Sequence, residues 1–387
     1  MSPLTRFDSI KPFYVMSVLE RAQELERQGA RVIHLEIGEP DFDAPDCVRE
    51  AACRAMDAGQ THYTHSLGLA ELRQAISDDH AARYGVSVDP GRILVTSGTS
   101  PAMLLCFAVL CGTGDNVLIP DPGYACYPNF IRFAGAEPRL VPVREEDGFQ
   151  YRVQAVRAAT DPRSRAVVIN SPGNPTGTLM PAETMAELAG LAENGGPAIV
   201  SDEIYHGLTY AGRDRSILEF TDQAFVLNGF SKLYAMTGWR LGYLIAPGAY
   251  MDVLRKLAQN LFICAGSVAQ WAGLAALRHA AGDVERMRAT YDERRRYMLG
   301  RLKAMGLGVA VEPTGAFYVL ANAKRFTSDS LAFAFDILDK AHVGVTPGMD
   351  FGPGGEGYIR FSYANSLENI REGLDRLERY LAGLDRA

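Results

Sequence analysis

A repeated alternation of short, wholly apolar runs with helix-length stretches constrains this chain more than any other feature. ILVT is followed by residues 101–111, NVLIP by 125–133 and AVVIN by 181–193; AIVSDE, AFVLN and GYLIA follow in turn. A run that is apolar at every position offers no face to water, so it suits a strand buried on both sides. Such strands, separated by helices, predict an α/β fold whose mostly parallel sheet is covered by helices. Ahead of them, Val15, Val18, Leu19, Ala22 and Leu25 place one apolar stripe on a helix over residues 14–27. From about Asp283 the texture changes to a long charged helix, then strands FYVL and YIRFSYA and a closing helix over 367–381. The expected organisation is a large domain over 46–284 and a smaller α+β domain built from 1–45 and 285–387.

Composition narrows the function classes. With 387 residues, 47% of them hydrophobic, the chain has ample material for a buried core. Its 39 basic and 46 acidic residues give a net charge of -7, and no long basic run appears. That argues against nucleic acid and against an anionic membrane surface. No stretch approaches the ~18 apolar residues of a membrane span, and the opening MSPLTRFDSIKPF lacks an apolar signal core. The expected setting is the reducing cytoplasm. Six cysteines without CxxC or zinc-site spacing read mostly as small core residues. His62 and His65 have no third ligand nearby, so no metal site is expected. The triple arginine at 294–296 reads as a solvated helix face, and GPGGEG at 352–357 precedes a strand, unlike a dinucleotide fingerprint.

In open α/β sheets ligands bind beyond the carboxyl ends of the strands, so the residues just after each apolar run matter most. After ILVT, Ser97, Gly98, Thr99 and Ser100 open a helix, whose free N–H groups suit a phosphate. After AVVIN, SPGNPTG holds Asn174 on a rigid turn. After AIVS come Asp202 and Tyr205. An acid at a buried strand end is costly unless it meets a cation, either a structural partner or a cationic ring nitrogen. After AFVLN, Ser231 and Lys232 lead into Arg240, and a lysine framed by small and apolar residues suits Schiff-base chemistry. Each junction alone has a plain structural reading: an N-cap, a turn, a salt bridge, a surface lysine. Together they meet the needs of pyridoxal 5′-phosphate, which takes a lysine for its aldehyde, an acid for its ring nitrogen and donors for its phosphate.

Across nearly its whole length, from IGEPDF at 37–42 to IRFSYA at 359–364, the chain resembles the class I/II, fold-type I aminotransferases. SPGNPTG, SDEIY, SKLYAMTGWRLGY and GAFY carry the resemblance. It implies that Lys232 is the Schiff-base lysine and proton-transfer base, and that Asp202 pairs with the pyridinium nitrogen. Tyr205 and Asn174 would bond the ring oxygen, and Tyr124 would stack on the ring. Gly98, Thr99, Ser100, Ser231 and Arg240 would carry the phosphate. Tyr63 would reach a phosphate across a homodimer interface, so that sites are shared. Arg360, helped by the Gly38 backbone and Asn174, would bind the substrate carboxylate. The implied reaction is ping-pong amino transfer between an L-amino acid and a 2-oxo acid through pyridoxamine phosphate. A C–S β-lyase or a cyclopropane-forming synthase on the same fold is the alternative. A non-catalytic regulatory domain, which would carry a DNA-binding extension, is a more distant one.

For the substrate side chain, the helix after the phosphate turn, PAMLLCFAVLCG, has no basic residue, and the entrance segment KPFYVM is largely apolar. Neutral or aromatic substrates are therefore expected ahead of strict aspartate use, although Lys11 or an arginine of a partner could supply a charge.

Overall fold

The computed structural model describes residues 8–384; the outer ends of the small-domain assignment, and most of the opening segment read for a signal, lie outside the described residues. In chain order the strands are β1 (Ile33–His34), β2 (Ile93–Thr96), β3 (Asn116–Asp121), β4 (Glu137–Pro142), β5 (Ser164–Asn170), β6 (Ala198–Asp202), β7 (Phe225–Gly229), β8 (Gly242–Ile245), β9 (Tyr318–Asn322), β10 (Val343–Gly344), β11 (Thr346–Pro347) and β12 (Tyr358–Ser362). Seven of them form one sheet in the order β2-β8-β7-β6-β5-β3-β4. The pairs among β4, β3, β5, β6 and β7 are parallel, while β8 runs antiparallel to both β7 and β2.

Strand alternation explains why helices cover both faces. Ile93, Val95, Val167, Ile169, Ile199 and Val226 join one apolar cluster, with Leu72 and Ile76 of helix Ala70–Tyr84 and Met185 and Leu188 of helix Ala182–Glu193. Their strand neighbours Leu94, Ala166, Val168, Val200 and Leu227 join another, with Met103 and Phe107 of helix Thr99–Leu110 and Leu254 of helix Met251–Leu261. Each fully buried side chain of this size contributes about 1.5–3 kcal/mol, so the two faces hold the sheet as a rigid slab.

A second, antiparallel sheet, β11-β12-β9, carries Arg360, which stands opposite Leu320 on one neighbour and Thr346 on the other. β1 pairs in parallel with β10, bringing the early chain onto the late one, with helices Tyr14–Arg27, Ser330–Ala341 and Leu367–Leu384 around them. Among the described residues no helix is long and apolar enough to cross a membrane.

Three expectations need correction. The sheet has a strand that the apolar-run reading missed: β4 is an edge strand with Pro138 and Pro142 and only Val141 buried, so its pattern resembles a loop. The triple arginine does not share a solvated face. Successive helical residues are turned by about 100°, so three in a row sweep most of the circumference. Arg294 is buried and pairs with Asp41 at 2.8 Å, Arg295 is nearly as buried and pairs with Asp292 at 2.7 Å, and only Arg296 is exposed. Of the six cysteines Cys106 alone is buried; Cys53 is exposed, because helix Asp46–Asp57 turns Val48, Ala52 and Ala55 inward instead.

Candidate active site

The carboxyl ends of β5, β6 and β7 lie side by side, with Asn170 in register with Asp202 and Asp202 with Leu227. Above them opens a cavity of about 330 Å³, bounded on its far side by Arg360 and by the start of helix Tyr14–Arg27. Its lining includes Gly38, Thr99, Ser100, Tyr124, Asn174, Asp202, Tyr205, Ser231, Lys232, Arg240 and Arg360. These are all of the residues expected from the sequence except two. Gly98 lies just behind the wall against Arg240, and Tyr63 stands on the surface, 80% exposed.

Asp202 ends β6 and is almost wholly buried. Its Oδ2 accepts from the Tyr127 phenol at 2.7 Å and its Oδ1 from the Ile204 N–H at 3.3 Å. No cation among the described residues lies within ion-pair distance of it, so burial pushes its pKa up to about 6, with the Tyr127 bond opposing. The structural salt bridge is thereby excluded among the described residues. Lys232 projects from the turn after β7, half-buried, and its Nζ donates to the Gly38 carbonyl at 2.7 Å. Loss of hydration in the cavity pushes this amine down to about 8.

Arg360 is 3% exposed, yet no carboxylate among the described residues pairs with it. Its Nη1 donates to Asn174 Oδ1 at 2.9 Å, and its Nη2 to the Glu36 carbonyl at 2.6 Å and Thr346 Oγ1 at 3.0 Å. The guanidinium lies 4.3 Å from the Tyr318 ring centre and 5.0 Å from that of Phe351, and its Nε has no hydrogen-bond partner among the described residues. A buried cation that is oriented but not neutralised is costly unless an anion joins it.

At the opposite end Gly98 precedes helix Thr99–Leu110 with φ of +91°, a conformation reserved for glycine. A Cβ there would come within 2.5 Å of Arg240 Nη2. Arg240 itself has φ of +53°, and its Nη1 donates to the Thr237 carbonyl at 2.9 Å, which turns the guanidinium toward the helix start. Cation, hydroxyls of Thr99, Ser100 and Ser231, and free helix N–H groups form an anion cradle. Among the described residues no group of three or more His, Cys, Asp or Glu could hold a metal ion.

Several members of the site were not assigned from the sequence. Tyr127 stands three residues after Tyr124 in DPGYACYP, and the buried start of helix Tyr127–Phe133 aims it at Asp202. Asn170 donates to the Asp202 carbonyl and accepts from the Asn174 N–H, both at 2.8 Å, joining two loops. Tyr318, inside GAFY, bonds Tyr205 at 2.9 Å beneath Arg360. Only Tyr127 had a local signal, its helical spacing from Tyr124.

Comparison with known proteins finds close relatives of the whole chain. The family model for aminotransferase class I and II matches residues 30–377. The chain is 40% identical to a (5-formylfuran-3-yl)methyl phosphate transaminase of Methanocaldococcus jannaschii, over 97% of this chain and 98% of that protein. It is 37% identical to a valine–pyruvate aminotransferase of Mycobacterium tuberculosis, over 96% and 97% respectively. The solved structure of aspartate aminotransferase from Thermus thermophilus with maleate is similar with a TM-score of 0.93 and 38% identity, covering 97% of this chain and 98% of that one.

Proposed function

The chain belongs to the class I and II aminotransferases, and on that premise we propose that its cavity holds pyridoxal 5′-phosphate and moves an amino group between an L-amino acid and a 2-oxo acid by ping-pong transfer. One observation carries this reading: a buried carboxylate and a buried guanidinium, each without an ion pair among the described residues, share one cavity with an amine of lowered pKa.

The residues fit that cofactor. Lys232 would hold its aldehyde and Asp202 its ring nitrogen. Asn174 and Tyr205 would meet its ring oxygen, and Tyr124 would offer an aromatic face. Gly98, Thr99, Ser100, Ser231 and Arg240 would hold its phosphate. When bound, the cofactor supplies an electron sink for the bonds at the substrate Cα.

The chain's own residues do the rest. Asp202 keeps a proton on the ring nitrogen, because in a buried setting its negative charge stabilises the cationic form. The Lys232 amine takes the Cα proton and returns it, a task for which a pKa close to the working pH is favourable. Arg360 binds the substrate carboxylate through its forked donors, and Asn174, Glu36 and Thr346 hold the fork in place. The Gly38 backbone meets the same end of the substrate.

Phe13, Val15, Met16, Leu19 and Met103 also line the cavity. They support neutral or aromatic amino acids as preferred donors. A homodimer with shared sites is supported by exposed Tyr63 and the exposed apolar residues Leu261, Phe262 and Ile263, on two segments that Gln259 and Ser66 join by a hydrogen bond. The division into 46–284 and the two flanking segments completes the proposal, with helix Ala281–Ala304 running across one junction.

The decisive experiment mixes cofactor-loaded enzyme with single amino acids and no oxo acid. Stoichiometric oxo-acid release, with a matching change in the cofactor's visible absorbance and fastest for neutral or aromatic donors, is expected. Ammonia and pyruvate without that stoichiometric change would identify a lyase.

A further inference from the structure

The glycine-rich stretch at 352–357, with the turn before it, lies where three walls of the cavity meet. It folds as two short 3-10 turns, Gly348–Phe351 and Pro353–Gly355. Its glycines permit close approach: a Cβ on Gly354 would lie 2.7 Å from the Asp121 carbonyl. The Gly354 N–H donates to Asp121 Oδ1 at 2.8 Å, and the Gly123 N–H donates to the Phe351 carbonyl at 2.9 Å. These bonds anchor the turn to the loop that carries Tyr124. Phe351 in turn lies against the Arg360 guanidinium.

A second side chain of the turn, Asp350, reaches the third wall. Asp350 is 9% exposed, its Oδ1 accepting from the Tyr14 N–H at 2.9 Å and its Oδ2 from the Val15 N–H at 3.1 Å. Helix Tyr14–Arg27 has no cap of its own: Phe13 offers no side-chain acceptor, and its first turn contains no acidic residue. A carboxylate from the far end of the chain therefore meets the first N–H groups, where the helix dipole favours negative charge. That helix, with Phe13 just ahead of it, presents Val15, Met16 and Leu19 to the cavity.

We infer that Asp350 is a positioning residue for substrate recognition: by capping helix Tyr14–Arg27 from the turn that packs on Arg360, it sets the apolar wall at a fixed place relative to the carboxylate-binding guanidinium. It governs the affinity for the amino acid rather than the proton transfer. The inference rests on reading the cavity as an amino-acid site, and its test separates the two.

Asp350→Ala and Asp350→Asn are compared with the wild type as holoenzymes, using the best neutral donor. Loss of both acceptors in Asp350→Ala should raise KM roughly five- to tenfold while kcat stays within about twofold, as expected for a lost cap. Asp350→Asn keeps one acceptor and should fall between. In the cofactor-free proteins, amide hydrogen exchange over residues 13–19 should quicken in the same order, with β5 to β7 unchanged. An unchanged KM, or an equal fall in kcat with no change in KM, would overturn the inference. If Asp350→Ala does not fold, Asp350→Asn decides by the same two readouts. A wild type that converts no amino acid would remove the functional reading, and the exchange experiment would still decide whether Asp350 caps the helix.

Discussion

At Lys232 an ammonium that water would otherwise stabilise stands in a cavity where, among the described residues, it has no ion pair; its Nζ donates to the Gly38 carbonyl, and Glu39 and Asp202 offset the lost hydration only in part. The amine's pKa falls to about 8, against an ordinary 10.5. Between those two values the site holds a neutral amine where a free lysine would be charged, and the neutral amine is the nucleophile. Uptake of pyridoxal phosphate by cofactor-free protein, followed by absorbance, should therefore accelerate as pH rises through about 8 and level off above it. A midpoint near 10.5 would contradict the desolvated lysine. Asp202 poses the converse problem of a buried anion without a cation. Asp202→Ala should keep cofactor through Lys232, seen by absorbance, while turnover falls roughly a hundred- to a thousandfold, the usual cost of one electrostatic partner. Unchanged kinetics would exclude the pairing with the ring nitrogen. These two residues were legible in the sequence because each follows an apolar strand. Tyr127 and Tyr318 were not: the spacing of Tyr127 from Tyr124 suggests a shared helix face, but it does not tell a core tyrosine from one aimed at a functional carboxylate or guanidinium.

On the scale of an element, the junction from β2 into helix Thr99–Leu110 shows how backbone geometry builds a binding site. Gly98 can hold φ of +91° and let Arg240 approach; no other residue can do both. Gly98→Ala should cost about 1–3 kcal/mol in backbone strain and displace Arg240 from the helix start. The expected result is a folded protein with a lower melting temperature and at least tenfold weaker cofactor retention on dialysis. Undiminished retention would mean that this end of the cavity is not the phosphate cradle. Helix Ala281–Ala304 teaches a different lesson. Its sequence shows a run of charge, but Arg294 lies over the rings of Phe42 and Tyr291 and pairs with Asp41, 253 residues away. Local charge density could not reveal that burial, because the partners come from another part of the chain.

For the molecule as a whole, the proposed sharing of sites between two copies makes a sharp prediction. A Lys232→Ala chain still offers its Tyr63, and a Tyr63→Ala chain still offers its Lys232. Unfolded together and refolded at limiting cofactor, two nearly inactive variants should recover about a quarter of wild-type activity, since one site per mixed dimer is intact. No recovery would place Tyr63 outside its neighbour's site. The amino-acid sequence by itself determined the α/β class, the mostly parallel sheet and the strand ends where polar chemistry gathers. It could do so because burial of both strand faces leaves a pattern within a few residues. It did not reveal that β8 runs antiparallel, that β4 closes the sheet edge, or that Asp350 caps a helix more than three hundred residues earlier. Nor could it reveal that Asp202 and Arg360 are buried without an ion pair among the described residues. Only the tertiary structure decided these, because the groups that a side chain meets, or fails to meet, are set by packing between distant segments.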